Sequence, residues 1–98
     1  VALVNEAFDY LDKAAELATG QEGEIDVLMN RGSVSASVPE QVFGKAETGA
    51  QDFMRIISLT TDTKLKAYCY VMAYECYNAC GKETQANLAL QEAKKMVE

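Results

Sequence analysis

Residues 67–81 read Ala-Tyr-Cys-Tyr-Val-Met-Ala-Tyr-Glu-Cys-Tyr-Asn-Ala-Cys-Gly, a stretch in which Glu75 is the sole charge. A helix so poor in charge must be packed around most of its circumference. At helical spacing Leu65, Cys69, Met72, Ala73, Cys76 and Cys80 share one face and Tyr70, Tyr74 and Tyr77 the adjoining one, which predicts two packing partners. Asp62 is placed to cap this helix and Gly81 to stop it. A plainly amphipathic helix follows over residues 83–97, with Ala86, Leu90, Ala93 and Val97 on one side and Gln91, Glu92 and Lys95 on the other. Lys94 and Lys95 near its end suit the negative pole of the helix dipole.

Upstream the pattern is weaker. Val4, Ala7, Leu11, Ala14 and Ala18 form a stripe opposed by Asp9, Asp12 and Glu16, which predicts a helix over residues 3–18 that Gly20 ends. Residues 22–30 allow two helical turns closed by Gly32. Residues 33–38 alternate serine with small apolar side chains, so an irregular serine-rich loop is expected near 31–38. Ser37 then caps a helix opening near Pro39, with Val42, Ala46, Ala50, Phe53 and Ile57 inward and Glu47, Gln51 and Arg55 outward. Gly44 and Gly49 weaken that helix by about 1 kcal/mol each relative to alanine, so they should serve close packing or a bend.

The pattern predicts an all-α domain of four to five helices spanning residues 1–98. A hydrophobic content of 49 % with one proline and six glycines is that of a folded chain. No apolar run approaches the roughly 20 residues that cross a bilayer, so no membrane association is expected. The chain opens on Val1 without a basic and apolar leader, which predicts a processed product or a piece of a longer chain. Three cysteines cannot all pair within one chain, and a reducing compartment, the cytoplasm, is expected.

The formal charge of −6 is concentrated at one end: residues 1–30 hold seven acids against Lys13, whereas the remainder balances eight acids with eight bases. An acidic end repels phosphate backbones, so nucleic acid is an unsuitable partner and a basic protein surface a suitable one. The plain alternative is a solvated helix face.

Residues 7–14 and 86–93 share the pattern Ala-x-x-x-Leu-x-x-Ala, and residues 50–57 give the related Ala-x-x-x-Met-x-x-Ile. With Tyr70 and Tyr77 in the first helix, Gly81 at the turn, and Ala86 and Ala93 in the second, residues 67–97 resemble the tetratricopeptide repeat, a helix-turn-helix unit whose stacked copies form a right-handed superhelix. Tyr74 and Ala73 depart from the pattern, the repeat-ending proline is absent, and residues 31–44 do not follow it. The resemblance implies a stack of antiparallel helices acting as a scaffold or adaptor for a protein or peptide. By that geometry Tyr68, Val71, Glu75, Asn78 and Ala79 line the concave surface. The family's carboxylate clamp is not reproduced, since Met72 and Glu75 stand where it uses asparagine.

Catalytic and metal chemistry find little footing. Without histidine there is no Ser-His or Cys-His couple, and Asp9 and Asp12 sit on a solvated face where nothing would tune a general acid, so no enzyme is expected. Cys69, Cys76 and Cys80 on one straight helix cannot surround a zinc ion, and buried packing explains them; neither metal nor cofactor is expected. The Gly81-Lys82-Glu83-Thr84 segment lacks the glycines and strand of a phosphate loop and reads as an inter-helix turn. Ser33, Ser35 and Ser37 after Arg31 read as an exposed loop, with phosphorylation as the alternative. Two alternatives to partner binding stand: a compact bundle that self-associates as a homodimeric structural subunit, and a small-molecule pocket lined by tyrosines.

Overall fold

The computed structural model describes residues 1–97 and places them in α1 (Ala2–Ala18), α2 (Glu24–Ser37), α3 (Glu40–Phe43), α4 (Ala46–Leu59), α5 (Thr63–Ala79) and α6 (Glu83–Val97). The chain is all-helical. Among the described residues there are six helices rather than four to five, the extra element being the four-residue α3. Each long helix packs on its neighbour in sequence: α1 on α2, α2 on α4, α4 on α5 and α5 on α6, while α2 just touches α5. The product is a slab of 42 × 33 × 15 Å with α1 at one end and α6 at the other.

The segment expected as a serine-rich loop is helix. α2 runs unbroken through Gly32 to Ser37, with Ser35 only 1 % exposed. What overrides the poor helix propensity is tertiary: the ring of Phe53 from α4 lies on the Gly32 backbone, where a Cβ would come within 3.0 Å of it. Across the same junction a Cβ on Gly49 would meet Ser35 Cβ at 3.0 Å and Cys76 Sγ at 3.1 Å. Two glycines and a serine thus let α2 and α4 approach closely, and this contact supplies what the local sequence lacks. The helix expected to open near Pro39 is in fact split. Gly44 takes a left-handed φ of 62° after α3, and Glu40 Oε1 accepts the first N–H of α4 from Ala46 at 2.9 Å.

α5 and α6 follow expectation. Asp62 Oδ1 accepts from the N–H groups of Lys64 and Leu65 at 2.9 and 3.2 Å. At the other end Lys82 N–H donates to Tyr77 O and Gly81 N–H to Asn78 O, the paired bonds that close a helix over a left-handed glycine. The core gathers Ala50, Phe53 and Ile56 of α4, Cys69, Ala73 and Cys76 of α5, Leu28 of α2 and Ala89 of α6. α1 is rotated from expectation: it buries Phe8 and Ala15, leaves the predicted Val4/Ala7/Leu11/Ala14/Ala18 stripe half-buried, and exposes Leu3, Tyr10 and Leu17.

Candidate functional site

α5 packs mainly on α4 and α6 and touches α2, and one strip of its surface remains open. Tyr68 and Val71 are 46 % and 39 % exposed, and Glu75, Asn78 and Ala79 also face solvent. At 1.5 Å per residue the strip from Tyr68 to Asn78 is about 15 Å long, the length of a short peptide contact. Its two ends have different surroundings. Tyr68 and Val71 join Ala67 with Leu90, Ala93, Lys94 and Val97 of α6 around a groove of about 330 Å³. Among the described residues Lys94 is the one charged side chain lining it. Tyr68 is braced edge-on against Phe53, ring centroids 6.3 Å apart at 80°, so its orientation is fixed by the core. Glu75 instead borders a recess of about 70 Å³ with Ser35, Val38 and Glu40. Asn78 lines neither cavity.

On the other side of the α5–α6 pair, Tyr70 and Tyr77 share a groove of about 250 Å³ with Met54, Gln85, Leu88, Ala89 and Glu92. Both tyrosines are half-buried against the core, and burial, with the nearby Cys80, pushes the Tyr77 hydroxyl above its ordinary pKa. Cys69 and Cys76 are buried, and desolvation pushes their thiols up to about 11, so both stay protonated and unreactive at neutral pH. Ser35, expected in an exposed loop, is buried instead, out of a kinase's reach in the folded chain.

A third cavity, of about 390 Å³, lies between α1, α2 and α4 and is lined by charge. Arg31 donates to both oxygens of Asp52 at 2.8 and 2.7 Å and to Asp12 at 3.1 Å, joining three helices. Glu24 accepts from Arg55 at 3.0 Å and from Gly20 N–H at 2.9 Å. Of the carboxylates in this crevice Asp12, Glu24 and Asp52 are each held by an arginine, which makes the network a clamp rather than a reactive centre. Sequence reasoning missed it because the partners lie 19 to 31 residues apart and Arg31 fell in the expected loop. Among the described residues no group of three or more Cys, Asp or Glu side chains is arranged to hold a metal ion. Nor is any helix there long and apolar enough to cross a membrane.

The clamp sets an acid limit. The Arg55 hydrogen bond, then that from Gly20, holds the Glu24 carboxyl below its ordinary 4.5. A carboxyl depressed in the folded state contributes stability that is full above the unfolded value and is lost as pH falls through the folded one. Urea unfolding at pH 7 and pH 3 should therefore show a larger loss for the wild type than for Glu24→Gln. Equal losses would remove Glu24 from the account.

Compared with protein-family models, with curated proteins and with solved structures, the chain finds no match.

Proposed function

We propose that the chain is a tetratricopeptide-like interaction module that holds a protein or peptide partner against α5, through the strip Tyr68, Val71, Glu75 and Asn78. The observation that carries this reading is the Tyr68/Val71 pair. It is apolar, partly exposed, fixed in place by Phe53 and α6, and set at the mouth of a groove large enough for a leucine or phenylalanine side chain. Rigid aromatic side chains beside a preformed apolar pocket are the usual anchors of binding energy. Lys94 on the rim favours a partner with an acidic residue next to its apolar anchor.

The α5–α6 hairpin supports the family reading: it turns at Gly81 and buries Ala86 and Ala93, the small residues that let repeat helices approach. Three free thiols suit a reducing compartment, and we place the module in the cytoplasm.

The test is affinity capture from a lysate with the wild type, Tyr68→Ala and Glu75→Ala, each variant first checked for unchanged helicity. Loss of an aromatic anchor costs about 2 kcal/mol, or roughly thirtyfold in affinity. The same captured protein should fall away in both variants, most in Tyr68→Ala. Retention at the wild-type level by both would reject the α5 strip.

A further inference from the structure

The two ends of the stack are unlike. α6 turns Thr84, Asn87, Gln91 and Lys95 outward beside one exposed leucine, Leu88 (58 %), a mostly polar surface of the kind that closes a helical stack against water. α1 does the opposite. Leu3 and Tyr10 are 80 % exposed and Leu17 69 %, and they repeat every seven residues with half-buried Ala7 and Ala14 between them. Leu-x-x-x-Ala-x-x-Tyr-x-x-x-Ala-x-x-Leu is the seam spacing of paired helices. The apolar side of α1 is therefore wider than α2 covers: Phe8 and Ala15 face the fold, and the seam beside them has no cover.

We infer that a second copy of this chain covers it, α1 packing antiparallel on α1 about a two-fold axis at Tyr10. The charges beside the seam set the direction. Glu6 and Lys13 flank the seam on one side and both are exposed. An axis at Tyr10 sets Leu3 opposite Leu17 of the second copy and brings Glu6 to within one residue of its Lys13, twice over by symmetry. A parallel pair would put Glu6 and Lys13 on opposite edges of the seam from their copies, against the flank of Val4 and Leu11, and would form no ion pair. Asp9 and Glu16 lie farther round the helix, away from the seam.

The area suffices. Leu3, Tyr10 and Leu17 leave roughly 400 Å² of surface in water on each copy. Two copies, with the stems of Glu6 and Lys13 added, reach the roughly 1,000 Å² that a specific interface requires. The assembly also closes: joined through α1, it presents the mostly polar α6 at both ends, whose exposed Leu88 and Val97 do not repeat at the seven-residue spacing of the α1 seam. The α5 strip stays clear of this interface, so the dimer would present two copies of it.

Light scattering across about 5–500 μM, the range in which an interface at the lower size limit assembles, tests the pairing. The molar mass should climb from 10.7 kDa toward twice that value. Tyr10→Asp, at a position 80 % exposed and checked for unchanged helicity by circular dichroism, should hold it at the monomer. Lys13→Glu should weaken association at least tenfold, and the double exchange Glu6→Lys/Lys13→Glu should bring it back to within about threefold of wild type. A wild type that stays monomeric throughout overturns the inference, as does a dimer indifferent to Tyr10→Asp. Failure of the double exchange to rescue overturns the antiparallel arrangement.

Discussion

Phe53→Ala is expected to remove about 3–5 kcal/mol from the unfolding free energy, the cost of emptying a large aromatic site in a closed core. Phe53 is completely buried, and its ring does three things at once. It covers the Gly32 backbone of α2, fills the centre of the core beneath α5, and braces Tyr68 edge-on. The neighbours cannot collapse into the space cheaply, because Gly32 has no side chain to move and Tyr68 is anchored on its own helix. A chain of this size has roughly 5–15 kcal/mol in total, so the variant sits near its unfolding threshold at room temperature. Thermal melting should fall by more than about 12 °C. Phe53→Leu should lose much less, since it retains most of the volume. If Phe53→Ala melted within a few degrees of the wild type, the α2–α4 junction described above would be wrong.

The second large effect falls on the clamp between α1, α2 and α4. Arg31→Met should cost about 3 kcal/mol or more, because Asp52 is 3 % exposed and loses both of its charged hydrogen bonds at once. The penalty is mostly that of the carboxylate left behind. Removing it as well, in Arg31→Met/Asp52→Leu, should therefore recover much of the loss, since apolar replacements of a buried pair are often tolerated. Chemical denaturation of the two single variants and the double variant gives the coupling directly. Additive losses would mean that the two residues do not act as a pair.

Both effects rest on contacts that no local pattern announces, which explains where the sequence was legible and where it was not. α5 and α6 could be read because their determinants are local: the Asp62 cap, the left-handed Gly81, and apolar positions at helical spacing. α2 could not. Gly32 and the serines around it have poor helix propensity, and only the close approach of Gly49 and Phe53 makes them favourable there. In α1 the stripe of small residues was legible, yet it falls between the line that packs on α2 and the line that faces out, because the apolar arc is wide enough for two partners. Gly44 was correctly suspect but is a break between two helices, whereas Gly49 is a contact point within one.

The candidate strip on α5 is a mixed case. Family geometry places Tyr68, Val71, Glu75 and Asn78 on the concave surface, and all four are open to solvent. The groove that gives Tyr68 and Val71 their interest is formed with Leu90, Ala93, Lys94 and Val97, an apposition of two helices that spacing alone does not reveal. The ion-pair clamp and the bare seam of α1 were invisible for the same reason: each depends on which neighbour a helix has.

Amide hydrogen exchange of the wild type, free and with the protein captured through it, tests the central claim most directly. Slowed exchange confined to the first two turns of α5 around Tyr68 and Val71 and to the α6 segment from Leu90 to Val97 is the predicted result. Unchanged exchange there, with protection appearing instead over the charged crevice of α1, α2 and α4, would contradict it.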